Sequence, residues 1–210
     1  MKTKAVLFDL DGVVFDTEHH YTEFWSKIGE KYFPNKKDFA SIIKGHSLTD
    51  ILQEQFSDYK KDWQEIENSL YEMEKSMIFP YIEGVEEFIL KLQKIGIRTC
   101  LVTSSDEIKM RTVLSSRPEI KKYFPNMVIA TDVEHAKPAP DCYLLGAKKC
   151  EVTPEECIVF EDSFAGIQAG KSAGMKVIAL PTTNTPESLI GKADKIIHDF
   201  KNTDISIIDF

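Results

Sequence analysis

Two aspartates, Asp9 and Asp11, close the apolar run AVLFDLD near the start of the chain. Side chains alternate across a strand, so acids two positions apart leave the same side of the backbone. Gly12 follows and permits a sharp turn. The carboxyl end of a strand is where open α/β sheets bind ligands. Two carboxylates there repel unless a cation or a shared proton relieves them. The pair therefore points to metal-assisted phosphoryl or acyl chemistry. Taken alone, it also reads as a strand ending in an Asx-rich turn.

Three further segments place reactive groups at strand ends. RTCLVT closes on Thr103, Ser104 and Ser105. Hydroxyls and free N–H groups between a strand and a helix N-terminus form an anion site, although Ser and Thr also cap helices without binding anything. HAKPAPD sets Lys137 before two prolines, which fix the local backbone. VFEDSFAGIQAG ends an apolar strand in Glu161 and Asp162. Carboxylate oxygens of this kind suit Mg²⁺, or the favoured acidic first turn of a helix. The small residues Ala165, Gly166, Ala169 and Gly170 let that helix approach a sheet closely.

Alternating apolar strands and amphipathic helices must carry these groups. Strands are expected at Lys4–Asp9, Arg98–Thr103, Met127–Ala130, Cys157–Glu161, Lys176–Leu180 and Lys195–Ile197. Helices are expected at Gly84–Gly96, Ser105–Ser115, Pro140–Cys150 and Ser163–Ala173. Such alternation predicts an α/β fold, a parallel sheet with helices on both faces. From Glu18 to about Tyr81 the pattern changes to helices alone, at Tyr21–Lys31, Thr49–Phe56 and Asp62–Met77. That interval is too long for a loop. It predicts a small helical domain over residues 17–81, inserted into an α/β core formed by 1–16 and 82–210, with hinges near Asp16–Thr17 and Phe79–Glu83.

The spellings DLDGVVFDT, the Thr-ended strand, KPAPD and EDSFAGIQA, in this order, resemble the haloacid dehalogenase superfamily in its helical-cap branch. The resemblance spans nearly the whole chain and implies a Rossmann-like core with an inserted α-helical cap. It implies Asp9 as nucleophile carrying an aspartyl-phosphate, and Asp11 as general acid and then base. Thr103 and the Ser104 N–H would hold the phosphoryl group. Lys137 would pair with Asp9 and the phosphoryl oxygens. Mg²⁺ would sit on Asp9, the Asp11 backbone carbonyl, Asp162, and Glu161 directly or through water. Dehalogenases of the superfamily lack Asp11 and the acid pair, so phosphoryl transfer is the implied chemistry.

Within the family the chain looks most like β-phosphoglucomutases and sugar-phosphate phosphatases. The mutases carry a His four positions after the hinge threonine, Thr17 here; that position is Tyr21, and His20 falls one residue early. They also carry a cap loop KGxSR; this chain has Lys44, Gly45, His46, Ser47 and Leu48. Leucine cannot replace the bidentate guanidinium fork that grips a second phosphate. The expectation is a Mg²⁺-dependent phosphatase acting on a sugar or polyol phosphate, with Thr17, Lys44, Gly45, His46 and Ser104 on the substrate. The alternative is a β-phosphoglucomutase-type phosphomutase. A more distant one is a phospho-accepting receiver module, which would lack the helical insertion and the late acid pair. His19 and His20 are assigned no chemistry.

The remaining properties bound the setting. A formal charge of −8 over 210 residues argues against a nucleic-acid surface. No apolar run approaches the length of a signal peptide or a membrane helix. Cys100, Cys142, Cys150 and Cys157 form no CxxC pair. The expectation is a cytoplasmic protein, a monomer or weak homo-oligomer, whose partner is a small phosphorylated metabolite rather than nucleic acid or membrane.

Overall fold

The computed structural model describes residues 3–209. Six parallel strands form one sheet in the order β3-β2-β1-β4-β5-β6. They are β1 (Ala5–Phe8), β2 (Arg98–Val102), β3 (Asn126–Val128), β4 (Cys157–Glu161), β5 (Lys176–Ala179) and β6 (Lys195–Ile196). The helices are α1 (Glu18–Tyr32), α2 (Phe39–Ile42), α3 (Leu48–Gln55), α4 (Trp63–Ser76), α5 (Val85–Lys94), α6 (Glu107–Ser116), α7 (Ile120–Tyr123), α8 (Asp141–Lys149), α9 (Phe164–Ser172) and α10 (Pro186–Leu189).

Every residue of β1 is buried, as expected of a central strand covered on both faces. Val6 and Phe8 enter one apolar cluster with α5 and the Phe124, Phe160 and Phe200 rings. Ala5 and Leu7 enter the other, with α8 and α9. Phe8 stacks on Phe160 of β4 with centroids 5.1 Å apart. Strand order reverses beside β1, with β2 on one side and β4 on the other. That is the switch point at which doubly wound sheets open a ligand crevice.

The helices between β1 and α5 have a core of their own. Trp25, Phe39, Ile43, Ile51, Leu52, Phe56, Ile66 and Leu70 bury one another there. The aromatic residues of the insertion thus fill its interior. The chain segments entering and leaving it pair with each other: Asp16 N–H donates to Pro80 O, and Ile82 N–H to Val14 O. Two adjacent strand-like linkers make the connection narrow.

Several boundaries differ from the sequence-based expectation. The strand expected at Met127–Ala130 is Asn126–Val128, and a 3-10 turn occupies Ala130–Asp132, where the Ala130 N–H turns to Ser105 O. Helix α6 starts at Glu107 rather than Ser105, because Asp106 caps it by accepting from the Lys109 N–H. Helix α3 begins at Leu48, capped by Ser47 Oγ accepting from the Asp50 N–H. The short helices α2, α7 and α10 had no counterpart in the periodicity. All four cysteines are free and buried. No helix among the described residues is long and apolar enough to cross a membrane.

Candidate active site

The ends of β1, β2 and β4 bring their polar residues into one crevice, which α1, α3, α4 and the Lys44–His46 loop cover from the other side. Asp9 follows β1 and is held there as its N–H donates to Phe160 O of β4. Lys137, fully enclosed, donates to Asp9 Oδ1 at 2.6 Å, to Glu161 Oε1 at 2.7 Å and to Val102 O at 3.2 Å. Thr103 extends β2, its N–H bonded to Val128 O, and its hydroxyl donates to Ser105 Oγ at 2.9 Å. Ser104 Oγ donates to Gly45 O, tying the strand end to the covering loop.

Asp9, Glu161 and Asp162 each offer a carboxylate oxygen within 4.8 Å of the others, and all three are buried. The electrostatics register the crowding. Burial pushes Asp9 up to about 8, with Lys137 pulling the other way and Glu161 adding to the rise. Burial, then Glu18, Glu161 and Asp9, hold Asp162 well above the carboxylate range. Burial also opposes ionisation of Glu161, but Lys137 overcomes it and Glu161 lies below its ordinary value. A cation among these oxygens would offset charge that Lys137 alone leaves uncompensated. Hard, anionic oxygen donors of this kind fit Mg²⁺.

The carboxylates are not equally available. Glu161 Oε1 accepts from Lys137 and the Tyr143 hydroxyl. Its Oε2 accepts from the Asp162 N–H, the Ser163 N–H and Ser163 Oγ. The hydroxyls on Asp162, from Thr182 and Thr183, both meet Oδ2. Asp9 and Asp162 therefore keep freer oxygens than Glu161, both of whose oxygens are taken. Two glycines make the room. A Cβ on Gly12, whose φ is +76°, would lie 2.0 Å from Asp162 Oδ2; one on Gly166 would lie 1.6 Å from Glu161 Oε1.

Asp11 is pinned at both oxygens. Thr17, buried at the entry linker, donates to Oδ1 at 2.5 Å. Lys109 Nζ donates to Oδ2, and Ser105 Oγ lies 3.4 Å from the same atom. Lys44 reaches the pocket and pairs with Glu18 Oε2 at 3.4 Å. Gly45 lies so close to the core that a Cβ would meet Ser163 Oγ at 2.4 Å. His46 and Leu48 line the pocket, as does Tyr21. His20 is not among the lining residues, and His19 is exposed with its ring against that of His20.

Sequence reasoning missed several residues at this site, Thr182 on Asp162 among them. Lys109 and Glu74 lie inside helices α6 and α4, and Glu18 opens α1. Tyr143 sits on α8 beneath Glu161, and Thr183 on the loop after β5. Lys109 and Glu74 carried a signal, each a charged residue on the apolar side of its helix, beside Met110 and Val113 in α6 and in register with Ile66 and Leu70 in α4.

The fold and site define a hydrolase with an α/β core, in which the Asp9 carboxylate stands at the switch point of a parallel sheet. A family model of haloacid dehalogenase-like hydrolases matches residues 3–174, and the chain belongs to that family. It is 33% identical over 182 residues to a phosphorylated carbohydrates phosphatase of Thermotoga maritima, covering 83% of each chain. It is 30% identical over 190 residues to a β-phosphoglucomutase of Bacillus subtilis, covering 84% of this chain and 83% of that one. A family IA hydrolase of Entamoeba histolytica superposes with a TM-score of 0.82 at 25% identity, over 99% of this chain and 97% of that one.

Proposed function

We propose that this hydrolase is a Mg²⁺-dependent phosphatase of a small sugar or polyol phosphate, working through an aspartyl-phosphate. The observation that carries the reading is the convergence of Asp9, Asp11 and Thr103 on one pocket, with Lys137 bonded to Asp9 from behind, beside a buried acid pair. Asp9 attacks phosphorus, the bond to the leaving oxygen breaks, and Asp11 gives that oxygen its proton. Water then attacks phosphorus, its proton passes to Asp11, and the bond to Asp9 breaks to release inorganic phosphate. Thr103, the Ser104 N–H and Lys137 hold the phosphoryl oxygens, and Lys137 keeps the nucleophile beside a positive charge. Asp9, Asp162, the Asp11 carbonyl and, through water, Glu161 would hold Mg²⁺, which when bound neutralises phosphoryl charge. Residues 17–81 act as a cap whose closure excludes water from the first step.

Hydrolysis is favoured over mutation by what surrounds the leaving group. Leu48 and Tyr21 line the pocket, Lys44 is paired with Glu18, and Lys109 with Asp11. A second phosphate would have to strip one of these lysines from its carboxylate. A neutral, hydroxyl-bearing leaving group needs no such exchange. The Thermotoga maritima relative, named for phosphorylated carbohydrates, supports the same class. The β-phosphoglucomutase relative keeps the mutase as the second reading. Family membership leaves the receiver module without support. Four buried, unpaired cysteines accord with a reducing cytoplasmic setting.

Phosphate release from a panel of sugar and polyol phosphates, with Asp9→Asn as control, tests the reading. Asp9→Asn should lose at least about 10³-fold in turnover. With β-glucose 1-phosphate and added glucose 1,6-bisphosphate, a coupled dehydrogenase should detect little glucose 6-phosphate relative to phosphate. The reverse ratio would establish the mutase.

A further inference from the structure

Lys109 is a cation with no place in the chemistry described so far. It is 5% exposed, yet it lies in the first turn of α6, a surface-type helix whose neighbours Glu107 and Ile108 face solvent. Its ammonium donates to Asp11 Oδ2, and its position is fixed from four directions. The Asp106 side chain accepts from its backbone N–H at 2.9 Å. The Tyr21 ring of α1 lies beneath its Nζ, 4.4 Å from the centroid. The Tyr21 hydroxyl donates to Glu74 Oε1 of α4 at 2.9 Å, placing a second buried carboxylate near the ammonium. Asp106, in turn, accepts from Tyr71 of α4 at 2.7 Å.

We infer that Lys109 is a positioning residue: it fixes the Asp11 carboxyl for proton exchange with the leaving oxygen, and the cap helices α1 and α4 hold it there. A carboxyl gripped only by Thr17 at Oδ1 can still swing about its χ angles. Lys109 at Oδ2 closes that freedom, because two donors on opposite oxygens define the carboxyl plane. The supports of Lys109 divide between the core, through Asp106, and the insertion, through Tyr21, Tyr71 and Glu74. The acid is therefore fully aligned only while those helices cover the site. Proton-transfer efficiency depends steeply on such placement. The inference rests on the phosphatase reading, in which Asp11 is the acid.

Leaving-group dependence tests it. An alkoxide needs a proton to depart, whereas para-nitrophenolate leaves readily without one. Lys109→Met should lower kcat/KM for glycerol 1-phosphate about 10²-fold, within the range of acid–base contributions. It should lower kcat/KM for para-nitrophenyl phosphate less than about 10-fold, mainly through kcat. Lys109→Gln, which keeps a donor, should recover part of the loss. Combined with Asp11→Asn, the two losses should not multiply, since residues acting through one group are not additive. The double variant also leaves no unpaired charge at position 11, so it stays informative if Lys109→Met folds poorly. Equal losses on both esters, a rise in KM alone, or multiplying losses would overturn the inference and make Lys109 a phosphate-binding or purely structural cation. Retained turnover in Asp9→Asn would instead sink the phosphatase reading, and this inference with it.

Discussion

Glu74 makes a measurable statement about stability. It is buried on α4 at the face turned to the core, and its Oε1 accepts from Tyr21 while Oε2 has no hydrogen-bond partner. Burial lifts it from 4.5 to about 7; Lys109 and the Tyr21 bond pull down, while Asp11 and Asp106 push up. The folded protein therefore binds this proton more tightly than the unfolded chain. Between pH 4.5 and about 7 the folded state holds a proton that the unfolded state has released. Stability from this group is complete below that window and falls as pH rises through it. The shift corresponds to at most about 3 kcal/mol. Gln is isosteric, uncharged and still accepts from Tyr21. Glu74→Gln should thus be more stable than the parent at pH 8 by up to about 3 kcal/mol, roughly 5–10 °C in Tm for a chain of this size. At pH 4.5 the two should nearly coincide. Paired thermal or urea melts at both values measure the difference, and groups untouched by the substitution cancel. A variant less stable than the parent at pH 8, or an offset that does not change with pH, would show that Glu74 is already ionised and compensated by Lys109.

The acid cluster predicts that Mg²⁺ raises the melting temperature and that Asp162→Asn weakens this response; identical melts with Mg²⁺ and with chelator would remove the metal from Asp9 and Asp162. Gly166→Ala should displace Glu161, since the added methyl would meet Oε1 at 1.6 Å, and should lower both Mg²⁺-induced stabilisation and turnover by about 10-fold or more. Retention of both would mean that the Glu161 brace is dispensable. Lys44→Ala should reduce kcat/KM on a preferred sugar phosphate well beyond its effect on para-nitrophenyl phosphate, because in the proposed reading Lys44, paired with Glu18 at the pocket, would meet the leaving group rather than the phosphoryl group. Parallel losses on both esters would refute that placement.

The sequence alone determined the sheet, the helical insertion and the residues at the strand ends. A buried parallel strand must be a short apolar run, and whatever polar residue ends it must emerge at the sheet edge; Asp9, Thr103 and Glu161 needed nothing more to be located. Short-range spacing carried Asp11 and Asp162 for the same reason, whereas Lys137, in the loop after β3, was singled out by the resemblance of KPAPD to the family motif. Tertiary structure alone decided which residues meet them. Lys109 is 98 positions from Asp11 along the chain, and Glu74 is 53 from Tyr21, whose hydroxyl donates to it. Both sit on helices whose periodicity marks a buried face without saying what that face meets. The division of labour within the acid pair was equally out of reach, because EDS reads the same whether Glu161 binds a metal or is saturated by Lys137, Tyr143 and two backbone N–H groups. Local pattern fixes where a side chain leaves its own element; the charges and hydrogen bonds it finds there come from other elements, and only packing brings those together.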